Sequence, residues 1–154
     1  MLFFDGFNHS GVCAATPGHS GEHTPDFGFN FQVSHDDEVV DLFFSVQRGW
    51  RNCHKCQAMY YGPTNGPCPG LPAGAHYGGQ NLGGTFPADT FDFFLLYGLG
   101  AADSIQDNWR ACWKCLTLVY DGFTSDKGPC QAGGLHEGHG GEDGVFNFAL
   151  NFLP

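Results

Sequence analysis

The stretch Trp50–Arg51–Asn52–Cys53–His54–Lys55–Cys56 returns as Trp109–Arg110–Ala111–Cys112–Trp113–Lys114–Cys115, and the residues behind each copy recur in the same order. Behind the first come Tyr60–Tyr61–Gly62, Gly66–Pro67–Cys68, His76 and Phe91–Asp92–Phe93. Behind the second come Tyr120–Asp121–Gly122, Gly128–Pro129–Cys130, His136 and Phe146–Asn147–Phe148. The N-terminus matches only the later half of this pattern: Leu2–Phe3–Phe4–Asp5–Gly6–Phe7 aligns with Leu118–Val119–Tyr120–Asp121–Gly122–Phe123, and Cys13, His19 and Phe27–Gly28–Phe29–Asn30–Phe31 come next. The equivalent cysteines Cys13, Cys68 and Cys130 stand 55 and 62 residues apart, a period that marks a tandem repeat. This reading divides the chain into a partial repeat over 1–46 that lacks its first strand and cysteine pair, a second repeat over 47–104 and a third over 105–154, together one compact domain.

Each full repeat presents Cys-x2-Cys, a third Cys and then a His: Cys53, Cys56, Cys68 and His76 in one, Cys112, Cys115, Cys130 and His136 in the other. Two sulfurs separated by two residues can be aimed at one ion by a tight turn, and four such ligands describe a closed tetrahedral zinc site. Two structural zinc ions are therefore expected. With four protein ligands, neither leaves a position open for water. Disulfides are the competing use of these cysteines in an oxidising compartment. An odd total of seven Cys does not pair cleanly within one chain, and disulfides give the recurring His no role. A redox dithiol would need a βαβ setting that neither pair has.

Cys13 and His19 match the third and fourth ligands of a site whose first pair is missing. They are read as a degenerate site, or as an incomplete metal site filled by His9 or His23. The latter would be open to water and hence the one candidate for zinc hydrolysis.

Cations are scarce and placed together. The six are Arg48, Arg51, Lys55, Arg110, Lys114 and Lys127, and five lie in or beside the cysteine motifs. There they would favour thiolates, unless they merely alternate outward along an exposed strand. The net charge of −10 argues against nucleic acid as a partner.

With 16 Phe and 24 Gly separated by Pro turns, the chain points to short strands and offers poor helix signals. The expected fold is all-β, with three tandem repeats in a pseudo-threefold, trefoil- or prism-like arrangement clipped by zinc. A looser chain of zinc-clipped hairpins is the alternative. Strands are predicted over 27–33, 39–46 (with a short helical turn as the alternative), 57–61 and 91–97, the last buried on both faces, with a knuckle at 50–56 and a long loop over 62–84. The connector over 99–107 could hold one helical turn. Trp50 and Trp109 recur with the cysteines and are expected to pack over the knuckles. No apolar run is long enough to span a membrane as a helix, and no signal peptide is evident. A cytoplasmic location, export by a non-classical route, and a sequence that is a processed piece are the readings left open.

Tyr60, Tyr61 and Trp113, with the loops over 74–84 and 133–144, are candidates for shallow sugar sites, although core packing explains such aromatics too. Glu137, His139, Glu142 and Asp143 offer oxygen and nitrogen ligands in a Gly-rich loop without matching a recognised calcium loop.

The order Trp-Arg-x-Cys-x-Lys-Cys, Tyr-Asp-Gly-Phe, Lys-Gly-Pro-Cys, Gly-Gly-x-His and Phe-x-Phe resembles a tandem repeat of bacterial proteins, especially actinobacterial and myxobacterial ones. The resemblance implies a module rather than an activity, since most such proteins have no assigned function. It is strongest over 109–149 and weaker over 50–97, where the Gly-Gly-x-His loop is altered.

The functional expectation is a non-catalytic, zinc-stabilised binding module, lectin-like, engaging glycans or a cell surface through repeated loops. A structural protein that forms homo-oligomers through an open strand edge is the alternative, and a zinc hydrolase at the incomplete first site is the third reading. If Cys13 is the odd cysteine, alkylation of the native protein should modify it before the other six, as read by peptide mass spectrometry. Equal reactivity of all seven would remove that assignment.

Overall fold

The computed structural model describes residue 2 and residues 30–34, 45–53, 55–64, 66–69, 74–78, 92–98, 100–123, 127–138 and 147–153. Every regular element among them is a strand: β1 (Asn30–Gln32), β2 (Ser45–Asn52), β3 (Met59–Tyr61), β4 (Pro67–Cys68), β5 (Gly74–Ala75), β6 (Phe93–Tyr97), β7 (Ile105–Ala111), β8 (Leu118–Tyr120) and β9 (Phe148–Leu153). Among the described residues no helix is long and apolar enough to cross a membrane.

Seven of these strands form one antiparallel sheet in the order β3-β2-β6-β9-β7-β8, with β1 also paired to β9. The two ends of that order meet. Tyr60 of β3 bridges Thr117 beside β8, and the Tyr61 N–H donates to the Leu116 carbonyl at 2.9 Å. The Leu2 backbone spans the same seam, donating to the Leu118 carbonyl at 2.9 Å and accepting from the Met59 N–H at 3.0 Å. The sheet is thus a nearly closed barrel, which leaves few unpaired edges along this seam.

The barrel core is aromatic. Trp50, Met59, Leu95, Trp109, Leu118, Phe148 and Leu150 fill it, and Phe31, Tyr61, Phe93, Tyr97 and Tyr120 pack around them. Trp50 meets Phe148 edge to face at 5.3 Å, and Trp109 meets Phe31 in the same manner at 5.1 Å. Such contacts add to the area term of burial. Consecutive Phe94 and Leu95 are both buried, so β6 is covered on two faces, as its unbroken apolar sequence predicts. In β1 only the central Phe31 turns inward, the period-2 pattern of a strand with one wet face.

Both long strands carry a bulge that decides where the tryptophans point. The register of β2 against β6 shifts between Gln47 and Trp50, and that of β7 against β9 between Gln106 and Trp109. The chain there takes a positive φ, 92° at Gly49 and 64° at Asn108, residues that accept the left-handed region at low cost. Each bulge is pinned from both sides. The Gly49 N–H donates to Asp92 Oδ1 at 2.8 Å and the Asn108 N–H to Asn147 Oδ1 at 2.8 Å. The Gly49 carbonyl accepts from the Gly62 N–H and the Asn108 carbonyl from the Asp121 N–H, both at 2.8 Å. Each indole then donates to a glutamine three residues back, Trp50 Nε1 to Gln47 Oε1 and Trp109 Nε1 to Gln106 Oε1, both at 3.0 Å.

Three sequence expectations need correction. Trp50 and Trp109 fill the barrel core and do not lie over the knuckles, because the bulge turns them inward. The connector over 99–107 makes no helical turn among its described residues; Ala102 and Ile105 bridge each other and β7 begins there. The loop over 62–84 contains a small two-stranded sheet, β4 with β5. The strand predicted over 39–46 reaches the described residues only at its end, where β2 begins. Phe148 is enclosed by Trp50 and Tyr97, so Phe148→Ala should cost about 3–5 kcal/mol in denaturant unfolding. Phe123→Ala, at a ring 58% exposed, should stay within about 0.5 kcal/mol.

Candidate metal centres

Both clusters grow from the same local geometry. A long strand (β2 or β7) ends at the first cysteine, the chain turns, and a short strand (β3 or β8) returns. The turn closes with the Gln57 N–H donating to the Cys53 carbonyl at 2.7 Å and the Cys53 N–H to the Ala58 carbonyl at 2.9 Å. The second copy repeats this with Leu116 to Cys112 at 2.7 Å and Cys112 to Thr117 at 2.9 Å. Gln57 and Leu116 sit at φ 60° and 63°, left-handed for residues that seldom accept it, and this reverses the chain just after the second cysteine.

The second arm brings the remaining two ligands. In the first copy β4 pairs with β5, Pro67 opposite Ala75 and Cys68 opposite Gly74. In the second a bridge between Pro129 and Leu135 does the same. The His76 N–H then donates to the Gly66 carbonyl at 2.9 Å and the His136 N–H to the Gly128 carbonyl at 3.0 Å, fixing each imidazole toward the cysteines.

The outcome is two buried groups, Cys53, Cys56, Cys68, His76 and Cys112, Cys115, Cys130, His136, each with its ligand atoms within 4.8 Å of one another. An ion bonded to sulfur at about 2.3 Å and to nitrogen at about 2.0 Å holds tetrahedral sulfurs about 3.8 Å apart and sulfur about 3.5 Å from nitrogen. Cys53 Sγ lies 3.6 Å from Cys68 Sγ, and Cys112 Sγ 3.9 Å from Cys130 Sγ. Cys56 Sγ lies 3.5 Å from His76 Nδ1, and Cys115 Sγ 3.5 Å from His136 Nδ1. These spacings suit one metal ion per group. A disulfide would need sulfurs about 2.0 Å apart, and all six of these cysteines are free.

Electrostatics tell the same story. Cys53 is held far below the usual thiol range, first by a hydrogen bond from the Cys56 thiol and then by one from Cys68, against burial. Cys112 falls to about 3, chiefly through a hydrogen bond from Cys115. The donors are pushed the other way: Cys56 is raised by its bond to Cys53, and Cys115 by its bond to Cys112. One thiolate in each group thus suppresses the next, and a cation among them is what permits all three to ionise. Backbone N–H groups already face the sulfurs, from Tyr77 to Cys53 at 3.5 Å, Glu137 to Cys112 at 3.5 Å and Ala132 to Cys130 at 3.4 Å.

Four of the six cations are engaged with carboxylates. Arg51 pairs with Asp92 at 3.9 Å, Arg110 with Asp121 at 3.8 Å, Lys127 with Asp121 at 2.6 Å and Lys114 with Glu137 at 2.9 Å. Arg48 lies 4.9 Å over the Phe94 ring. The Lys114 ammonium holds the Glu137 carboxyl below its ordinary range.

Tyr60 is buried, stacked on His76 at 4.9 Å, and its oxygen accepts from the Gly78 N–H at 2.7 Å. Burial pushes its phenol up to about 12. Tyr61 packs on the core. Neither offers the open face expected of a sugar platform; of that candidate trio only Trp113 does, at 54% exposure. Cys13, His19, His9 and His23 lie outside the described residues, as do His139, Glu142 and Asp143 of the calcium candidate. Sequence reasoning missed Thr117, whose hydroxyl lies 3.0 Å from Cys115 Sγ, and Gln131. A lone polar residue near a cysteine motif carries no signal that would single it out.

No protein-family model, curated protein or solved structure matches the chain.

Elemental analysis of native protein should find two metal ions per chain across these centres, and Cys56→Ser should lower the count to one. The loaded state keeps its thiols deprotonated below their unfolded value of about 8.5, so the unfolded chain binds more protons. Metal-derived stability is then fully present above that pH and lost as pH falls. Thermal melts at stepped pH, with and without chelator, should converge at the acid end.

Proposed function

We propose that the chain is a non-catalytic, zinc-stabilised β module that binds carbohydrate at the tip of its second knuckle. Zinc is the ion assigned because three thiolates and one imidazole in a tetrahedral frame suit its borderline softness and its lack of any geometric demand. Four protein ligands per ion leave no place for a water nucleophile, so the ions act as structural clips. The hydrolase reading rested on Cys13 and His19 and gains nothing from either described centre.

The observation that carries the binding assignment is Trp113. It is 54% exposed although its backbone lies between two buried cysteines. Its Nε1–H donates to Glu137 Oε2 at 2.7 Å, and Lys114 Nζ bonds the other oxygen of that carboxylate at 2.9 Å and the Gly133 carbonyl at 3.0 Å. The indole is therefore braced on the metal-clipped turn, with Leu135 also exposed on the second arm, at 51%. A rigid aromatic face rimmed by a carboxylate and an ammonium matches a sugar ring, whose C–H face stacks on the indole while its hydroxyls take the polar rim. Such rings give contact area at low entropic cost.

A glycan array with the zinc-loaded protein tests this. Any ligand found should quench Trp113 selectively, since Trp50 and Trp109 are buried, and Trp113→Ala should abolish binding while leaving the metal count unchanged. No glycan bound by the loaded protein, or binding unaffected by Trp113→Ala, would overturn the assignment.

A further inference from the structure

The two centres touch. The second arm of the first runs directly over the knuckle of the second: Gly66 is buried so close to the Cys115 carbonyl that a Cβ there would collide with it. Gln131, which directly follows the ligand Cys130, reaches across this contact and places its Nε2 3.2 Å from His76 Nε2. Its Oε1 is buried and has no hydrogen-bond partner among the described residues.

Two nitrogens at that distance bond only if one of them is an acceptor. His76 Nδ1 is the atom turned toward the sulfurs, 3.5 Å from Cys56 Sγ, and so is the atom that meets a metal. A metal on Nδ1 leaves the ring proton on Nε2, which then must donate. As the amide stands, two donors would face each other while an acceptor lies buried without a bond. A half-turn of the amide removes both faults, bringing Oε1 onto the Nε2–H.

Resting on the reading of these clusters as metal centres, we infer that Gln131 is the positioning residue of the first centre, its carbonyl oxygen accepting the Nε2–H of metal-bound His76 across the contact between the repeats. It fixes the tautomer and the plane of a ring whose face is already held by Tyr60. Ligating histidines commonly have such an outer partner, and its loss typically costs about 10–100-fold in metal affinity. The equivalent position of the first repeat, after Cys68, is Pro69, which has no side-chain group to make the same bond toward the second centre.

The test is cadmium NMR on the full chain loaded with cadmium-113, with Cys53→Ser assigning the resonance of the first centre by its loss. Gln131→Leu should move the first-centre resonance and weaken cadmium there about 10–100-fold in chelator competition, leaving the second centre in place. Gln131→Glu keeps an acceptor facing the ring and should restore most of the affinity, which a purely space-filling role would not explain. Nitrogen-15 labelling of histidine should show His76 protonated at Nε2 in the loaded wild type. An unchanged first-centre affinity in Gln131→Leu, or equal weakening of both centres, overturns the inference while leaving the metal reading intact. A wild type that takes up no cadmium overturns the metal reading, and this inference with it.

Discussion

Three sulfurs and an imidazole whose ligand atoms lie within 4.8 Å of one another cannot all take their charged or ligating form unless a cation stands among them. That constraint shapes the rest of the molecule. Without the ion, one thiolate per centre is sustained by hydrogen bonds from thiols whose own ionisation it suppresses. With it, all three can ionise, and the N–H groups of Tyr77, Glu137 and Ala132 already point at the sulfur that needs them. Among the described residues the pairing within the arms that carry the third and fourth ligands is short: two-residue strands in one copy, the Pro129–Leu135 bridge in the other, and a few backbone bonds such as His76 to Gly66 and Cys130 to Gly134. So little pairing offsets the chain entropy of long Gly- and Pro-rich loops poorly. An ion held by all four ligands of a group would tie these arms to the barrel.

The barrel supplies the other half of the support. Each knuckle is the end of a strand that starts in the aromatic core, and the bulge at Gly49 or Asn108 separates the two roles. Before the bulge the strand pairs with its neighbour in simple register; after it, the tryptophan turns into the core and the cysteine comes three residues on. Asp92 and Asn147 pin these bulges from β6 and β9, so both repeats use the same polar device with different residues. The two repeats diverge at two equivalent positions. The second has a braced Trp113 at its tip where the first has His54 in sequence, and the first stacks buried Tyr60 on His76 where the second has Val119.

The cations show how acidic side chains redirect a simple electrostatic expectation. Arg51, Arg110, Lys114 and Lys127 all lie near cysteines in sequence, yet each is paired with a carboxylate on a neighbouring segment. In a chain with 16 acidic and 6 basic residues, carboxylates are abundant enough to claim the cations first. Those pairs are partly exposed and so of modest worth individually, but they tie the knuckle strands to the loops beside them.

The sequence by itself determined a great deal. The duplicated Cys-x2-Cys, Gly-Pro-Cys and His pattern named the eight residues that converge, because a two-residue spacing and a Gly-Pro turn constrain the chain locally enough to aim sulfur at a shared point. Phe alternating with small or polar residues over 27–33, and Gly and Pro turns between apolar runs, announced strands for the same local reason. Only the tertiary structure decided what depends on contacts between repeats: that the sheet closes on itself through Leu2 and the Tyr60 bridge, that Trp50 and Trp109 face inward, that Tyr60 is spent on His76, and that Gln131 reaches across to the other centre. The difference is physical. Turn chemistry and side-chain period act over a few residues and can be read in order, whereas the register of a bulged strand and the partner of a buried amide are set by segments tens of residues away, packed against them only once the barrel has formed.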